Sequence, residues 1–289
     1  MISRRRLLAA ALLSGAASPN AVAAGDEREA ARQARFVALE RRHGGRLGVA
    51  ILDTADMAVS AYRGDERFPL CSTHKLLSAA LVLARVDRGD ENLGRRVVYA
   101  RDRLVAYSPV TEKHLGGAGL TVGEICEAAL TLSDNTAANL LLDSFGGPAA
   151  VTAFMRALGD EVTRLDRSEP TLNDVAAGDP RDTTSPVAMA QTARKLVLGD
   201  ALSAASREQL AAWLVACKTG DKRLRAGMPK EWRLGDKTGS GPRRETNDVA
   251  VIWPPARPPL VVAAYYAGAD ASDAERDAVL AEIGRVAAD

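Results

Sequence analysis

Apolar residues recur at helical spacing from Glu27 to His43, and Gly44-Gly45 stops the pattern. The next run, Arg46 to Thr54 (RLGVAILDT), is short, apolar and of strand type, and Met57 to Arg63 can fold back on it as a hairpin. From Cys71 to about Ala216 the chain is rich in Ala and Leu, mainly at helical spacing. After Gly220 come three strand-like runs: Trp232 to Ser240, Asn247 to Trp253 and Leu260 to Tyr266. Ser272 to Val286 predicts a closing helix, with Ser272 and Glu275 as a capping box and Val279, Ile283 and Val286 on one face. Strand and helix segments at both ends, with helices between, imply an α/β (α+β) fold. Residues 25–65 and 216–289 would form a half with a sheet drawn from both termini, and residues 66–215 an inserted all-α half.

One stretch interrupts the helical block. Residues 164 to 186 (TRLDRSEPTLNDVAAGDPRDTTSP begins one residue earlier) carry Pro, Gly and Asn but little apolar periodicity, so a long loop is expected. Loops longer than about 12–15 residues in a compact domain are usually functional or disordered. Alternating Arg and Asp predict that this one is ordered and pinned by internal ion pairs.

The chain's beginning reads as an address. Arg4, Arg5 and Arg6 precede the apolar run Leu7 to Leu13, and Ala21-Val22-Ala23 or Val22-Ala23-Ala24 offers a small-x-small cleavage site. Residues 1–24 are therefore expected to be an export signal, either of the ordinary kind or, from Ser3-Arg4-Arg5-Arg6-Leu7-Leu8, of the twin-arginine kind. The run is far short of the roughly 20 residues that span a bilayer. A periplasmic or secreted protein is expected, free of the membrane after signal removal.

Composition narrows the partners. The chain has 289 residues, enough for one large domain or two intimate ones, and its 26% charged content excludes intrinsic disorder. Net charge is +1 with no basic block beyond the leader, which argues against nucleic acid. Three His without HxH or HExxH spacing argue against a His-rich metal site, and three Cys without CxxC spacing argue against a disulfide scaffold. No metal and no cofactor is expected, and a monomer is the default.

Four short motifs carry candidate chemistry. Ser72-Thr73-His74-Lys75 opens an apolar helical run, and i and i+3 share a helix face, so the Lys75 amine would lie beside the Ser72 hydroxyl. A serine needs a neighbouring base to act as a nucleophile, and a desolvated Lys can serve. Free N–H groups at a helix start can also meet a developing oxyanion. Alone the motif is weak, because SxxK arises about once by chance in a chain this long, usually as a capping Ser with a solvated Lys. Ser133-Asp134-Asn135 follows the helix Ile125 to Leu132; it reads as a helix cap, or as a hydroxyl and an amide flanking one substrate amide.

Lys-Thr-Gly occurs twice. Lys218-Thr219-Gly220 follows the helical run Leu210 to Ala216 and reads as a helix end with Gly at the stop. Lys237-Thr238-Gly239-Ser240-Gly241 instead ends a strand that would lie at a sheet edge beside a cleft. There Lys237, Thr238 and Ser240 could hold a carboxylate, and the Ser240 N–H could complete an oxyanion hole. Last, Glu169-Pro170-Thr171-Leu172-Asn173 sets a carboxylate and an amide four residues apart in the long loop. That pair is either solvated surface or a holder for the water that hydrolyses an acyl-enzyme.

The ordered set SxxK, SDN, ExxLN and KTG resembles the class A serine β-lactamases over essentially the whole mature chain. Tyr107-Ser108-Pro109-Val110-Thr111, Arg181 to Pro186 and Gly235-Asp236-Lys237-Thr238-Gly239 resemble the family as well. The resemblance implies a five-stranded antiparallel sheet flanked by terminal helices, an inserted all-α domain, and an active site in the cleft between them. It also implies a hydrolase that opens the β-lactam ring of penicillins and cephalosporins. Ser72 would be the nucleophile, Lys75 or Glu169 the acylation base, Ser133 the proton donor to the departing nitrogen, and Glu169 with Asn173 the activator of the deacylating water. Asn135 would bind the substrate's side-chain amide, and Lys237, Thr238, Gly239 and Ser240 would line the carboxylate site. Backbone N–H groups of Ser72 and Ser240 would form the oxyanion hole, and Tyr107 would line the cleft mouth. The resemblance further implies a cis Glu169-Pro170 bond and an Arg167–Asp182 clamp on the loop.

The chain departs from its relatives at a few points. The position where many carry a carboxylate-binding Arg is Thr246 here, so Arg223, or else Arg225, would supply that charge. The positions that bridge to Cys71 and Cys126 in some relatives are Gly241 and Ala79, so no disulfide is expected. Two other readings share part of the signature. A penicillin-binding DD-peptidase would lack the Glu169–Asn173 pair, and an acylated β-lactam sensor would need a transmembrane segment.

Overall fold

The computed structural model describes residues 19–289. The leader read at residues 1–24 lies outside the described residues up to position 18. The first helix, α1 (Pro19–His43), begins at Pro19 rather than at Glu27. Pro19 suits a first helical turn, and four of the next five residues, all but Asn20, are Ala or Val, so the helix takes in the end of the expected leader despite Gly25.

Strands β1 (Arg46–Asp53) and β2 (Val59–Tyr62) form the expected hairpin. Near the C-terminus come β7 (Arg233–Ser240), β8 (Thr246–Trp253), β9 (Leu260–Ala267) and α9 (Asp273–Ala288). Between these ends lie α2 (His74–Asp87), α3 (Val122–Thr131), α4 (Asn135–Ser144), α5 (Pro148–Ala157), α6 (Pro186–Val197), α7 (Ala204–Val215) and the single turn α8 (Leu224–Gly227). Four two-residue strands, β3 (Phe68–Pro69), β4 (Arg96–Val97), β5 (Leu120–Thr121) and β6 (Thr183–Thr184), pair as β3–β6 and β4–β5. Two residues are too few to leave a periodic trace, so the sequence does not reveal them.

The main sheet runs β2-β1-β9-β8-β7, and every neighbouring pair is antiparallel. Both faces are covered, which is why its strands read as continuous apolar runs. On β9, Leu260, Val262, Ala264 and Tyr266 face α1 and α9, while Val261, Ala263 and Tyr265 face the helical half. The Ser272–Glu275 capping box starts α9, whose Val279, Ile283 and Val286 pack against Phe36 of α1 and the sheet. Truncating Ile283 to Ala there would cost about 2–5 kcal/mol.

Helix α2 runs through the middle of the helical half, and every residue from His74 to Ala84 is buried. A helix that is apolar nearly all round has to be an interior one. Its N-terminal end meets the end of β7, the outer strand of the sheet, and this meeting makes the cleft. At Gly239 a Cβ would lie 3.1 Å from Leu70 O and 3.3 Å from Ser72 N, so any side chain there would have to push strand and helix start apart by a few tenths of an ångström.

Candidate active site

Ser72 sits in a 3-10 turn (Cys71–Thr73) that leads into α2. One turn on, the Lys75 ammonium donates to Ser72 Oγ at 3.0 Å, Ser133 O at 2.8 Å and Asn135 Oδ1 at 2.6 Å. It also lies 3.1 Å from Glu169 Oε1. The i, i+3 argument from sequence thus gives the observed contact, and the other partners arrive from the turn before α4 (Ser133), the start of α4 (Asn135) and the long loop (Glu169). Ser133 Oγ stands between two ammonium groups, 3.4 Å from Lys75 Nζ and 3.1 Å from Lys237 Nζ. Ser133 takes a left-handed backbone (φ +59°), as do Cys71 and Tyr107. Such strain costs of order 1–3 kcal/mol per residue and clusters where side chains must be aimed.

Asp134 explains how the SDN turn is held. Its carboxylate caps α4 through Ala137 N and accepts from Val110 N, Thr111 N and Thr111 Oγ1, all between 2.8 and 3.0 Å. Asp134 thus caps α4, while Ser133 and Asn135 on either side of it line the cleft.

The loop wall carries Glu169 and Asn173. The Glu169-Pro170 bond is cis. Asn139 of α4 grips the Glu169 backbone at both ends, accepting from its N–H and donating to its C=O at 2.9 Å each. Asn139 lies one turn after Asn135 on the same helix face, a spacing that would have flagged it in the sequence. Arg167 Nε meets the buried Asp182 carboxylate at 2.5 Å, and Asp182 also accepts from Asp166 N and Arg167 N. Arg164–Asp166 and Arg181–Asp179 complete the ion pairs that the Arg/Asp alternation predicts. Asn173 Nδ2 donates to Glu169 Oε2 at 2.7 Å, and Ser72 Oγ lies 3.4 Å from Glu169 Oε1.

Burial raises the cost of every charge here. It would push the Glu169 carboxyl up, but the Lys75 charge and the hydrogen bonds from His74 and Lys75 outweigh it and hold the group well below the usual carboxylate range. Burial pulls Lys75 below the ordinary lysine value, against the attraction of Glu169. It also brings Lys237 down to about 8.

The cleft between these groups has a volume of about 380 Å³, with Ser72, Tyr107, Ser133, Asn135, Glu169, Asn173, Arg223, Thr238, Gly239 and Ser240 on its walls. Lys75 and Lys237 are buried at its floor. A larger surface cleft of about 720 Å³ lies among Arg46, Arg67, Val175 and Arg243. It contains no nucleophile with a neighbouring base, so chemistry rather than volume selects the smaller one.

Arg223 and Arg225 have different partners. Arg223 is fixed by Asp277 at 2.8 Å and by the carbonyls of Gly239 and Asn247, and its Nη2 donates to Ser240 Oγ at 2.8 Å. Arg225 instead pairs with Asp236 and Asp221, away from the cleft wall. Thr246 accepts from Arg276 Nε.

Two expectations change. Helix α7 ends at Val215, so Gly220 is not its cap. A Cβ at Gly220 would fall 1.7 Å from Asp236 Oδ2, and that close approach explains the glycine. Thr219, set aside with the first Lys-Thr-Gly copy, lines the cleft and shares a 2.5 Å hydrogen bond with Thr238. The signal lies in the repeat itself, where the two threonines of like motifs meet. All three cysteines are free and buried, and burial pushes the Cys71 thiol well above its ordinary value.

Among known proteins, the model of the "Beta-lactamase enzyme family" matches residues 30–289. The chain is 49% identical to β-lactamase CTX-M-8 of Citrobacter amalonaticus over 257 residues, 89% of this chain and 88% of that one. It is 46% identical to β-lactamase L2 of Stenotrophomonas maltophilia, covering 99% of this chain and 98% of that one. Among solved structures, an ancestral (GNCA) class A β-lactamase superposes with a TM-score of 0.87 at 65% identity, over 88% of this chain and 98% of that one.

Proposed function

The chain belongs to the class A serine β-lactamases, hydrolases that open the β-lactam ring, and on that premise we propose the role of each residue in its cleft. Ser72 Oγ attacks the lactam carbonyl while a neighbouring base takes its proton: either the Glu169 carboxylate at 3.4 Å, or Lys75 at 3.0 Å once it has passed a proton of its own to Glu169, 3.1 Å away. The backbone N–H groups of Ser72 and Ser240 receive the oxyanion. Ser133, between Lys75 and Lys237, returns a proton to the departing nitrogen as the C–N bond breaks. Water then attacks the ester carbon, Glu169 accepts its proton, and the Ser72–acyl bond breaks as that proton is handed on to Ser72 Oγ, 3.4 Å from Glu169 Oε1. Asn173 Oδ1 is buried without a hydrogen-bond partner among the described residues and is available to that water.

Lys237, Thr238, Gly239, Ser240 and Arg223 form a cationic, hydroxyl-rich site for the substrate carboxylate. Asn135 meets the side-chain amide, and the exposed Tyr107 flanks the mouth. The observation that carries this reading is the chain of contacts Ser72–Lys75–Glu169–Asn173, each at 2.7–3.1 Å, joined at Ser133 to Lys237. An acylated sensor or DD-peptidase has no need of the Glu169–Asn173 part.

Residues 1–24 serve in this reading as an export signal of the twin-arginine kind, and the mature protein acts as a periplasmic or secreted monomer. No helix among the described residues is long and apolar enough to cross a membrane.

The test is steady-state hydrolysis of a chromogenic cephalosporin by the purified mature chain, with chelator present. Many turnovers per molecule are expected. A single stoichiometric burst would mean that Ser72 acylates but Glu169 does not clear the ester.

A further inference from the structure

Helix α2 buries an otherwise apolar run, yet it carries one polar pair beside Lys75, His74 and Ser78. The two are four residues apart and share a face. Both are fully buried, and a buried polar group is costly unless it is hydrogen-bonded. His74 Nδ1 lies 3.3 Å from Ser78 Oγ and Nε2 lies 3.4 Å from Glu169 Oε1. Burial pulls the imidazole below its ordinary value, and it is flanked by the Lys75 and Lys237 ammonium groups. It is therefore neutral, with a single ring proton to place.

We propose that His74 is a positioning residue for deacylation: Ser78 O–H donates to Nδ1, which fixes the proton on Nε2, and Nε2–H holds Glu169 Oε1 while Asn173 holds Oε2. This rests on the reading of Glu169 as the deacylating base.

The terminal torsion of a Glu side chain is soft, so its carboxylate plane must be set by partners on both oxygens. Three groups reach Oε1: Ser72 Oγ at 3.4 Å, Lys75 Nζ at 3.1 Å and His74 Nε2 at 3.4 Å. Acylation removes the first, because Ser72 Oγ becomes an ester oxygen with no proton to donate. Lys75 is divided among Ser72, Ser133 and Asn135. His74 Nε2 has Glu169 as its one partner among the described residues. Its weight therefore rises once the acyl-enzyme has formed, and removing it should slow deacylation more than acylation. The charged and titratable groups around the His74–Glu169 pair are Lys75 from α2 and the Cys71 thiol from the nucleophile turn, which face the carboxylate, and Lys237 from β7, whose charge acts on His74. None of them changes with the substitution.

The experiment measures acylation and deacylation separately, by stopped flow and by intact-mass decay of a penicillin adduct, for the parent and for His74→Phe, His74→Gln, Ser78→Ala and Glu169→Ala. His74→Phe keeps a planar ring, a somewhat larger one, and removes the N–H, so its Tm is recorded beside its rates. Its deacylation rate should fall about tenfold, with acylation within about twofold, since hydrogen bonds to charged groups are among the stronger ones. Losing a donor to the carboxylate raises its proton affinity, so the acid limb of the deacylation profile should move to higher pH. His74→Gln, which restores an N–H near Nε2, should recover rate and profile in part, and Ser78→Ala should shift both a little in the Phe direction. Parental deacylation and pH profile in His74→Phe would overturn the proposal. So would equal losses in the Phe and Gln variants with a lowered Tm, which would mark a packing role. Glu169→Ala separates the two readings: if it deacylates like the parent, the base assignment itself fails.

Discussion

On one side of the cleft, Lys237, Thr238 and Ser240 stand on β7, paired residue for residue with β8 from Arg233–Trp253 to Ser240–Thr246. On the other side, Glu169 and Asn173 stand on a loop with one short 3-10 turn, Thr171–Asn173, held by Asn139 and the Arg167–Asp182 pair. The strand cannot move one residue without moving the sheet. The loop can be released by losing one carboxylate. In the proposed reaction the rigid wall binds the substrate's carboxylate and the tethered wall handles water. Damage to the first should appear in acylation and KM, and damage to the second in deacylation and kcat.

The sharpest way to break that division is on the rigid wall. Lys237→Ala should lower kcat/KM for a penicillin by about 10²–10³-fold, the scale of removing one preorganised charge-stabilising donor. The decay rate of any acyl-enzyme that forms should change far less. If decay slowed as much as formation, the two walls would not be separable.

Next comes the tether. Asp182→Ala removes the acceptor of Arg167 Nε and of two backbone N–H groups, leaving Arg167 half-buried without its partner. Breaking such a pair costs about 3 kcal/mol or more. A lower Tm, faster proteolysis within residues 164–182 and slower deacylation are expected. Proteolysis at the parental rate would mean that Asn139 alone holds the loop.

Arg223→Ala should raise KM about tenfold for carboxylate-bearing substrates, because the guanidinium reaches Ser240 Oγ. Arg225→Ala should leave KM nearly unchanged while destabilising the fold, because it strands Asp236. Matching KM effects would contradict the placement of the two arginines.

These two arginines also mark the limit of what sequence carries. The sequence names Arg223, with Arg225 behind it, and what separates their surroundings is Asp277 on α9 and Asp236 on β7, partners far away in the chain. The main strands were legible because both sheet faces are buried and the runs are uninterrupted. The contact of Lys75 with Ser72 was legible because it is local to one helix. Thr219 was not, since only the packing of the segment after α7 against β7 brings it to Thr238. Nor was the left-handed backbone of Ser133, which no side-chain pattern encodes.

Protonation offers a gentler probe of the rigid wall. Burial lowers Lys237 to about 8, so its charge is present below that pH and is lost as pH rises through it. KM for carboxylate-bearing substrates should climb about tenfold per unit above pH 8, while the acyl-enzyme decay rate stays flat. A flat KM up to pH 10 would mean that Lys237 keeps its proton or that its charge is not used in binding. The smallest effect is expected for Thr219→Val, which removes the hydroxyl beside Thr238 and should cost about two- to fivefold in KM with little change in kcat. A change confined to kcat would move Thr219 to the other wall.

The division of labour rests above all on Glu169 clearing an ester from Ser72. The most direct measurement is the intact mass of Glu169→Ala mixed with benzylpenicillin, followed from seconds to hours and mapped by peptide digestion. A single adduct of penicillin mass, located on the Ser72 peptide and persisting for hours where the parent shows none, is the predicted result. Prompt turnover with no adduct, or an adduct on any other residue, would contradict it.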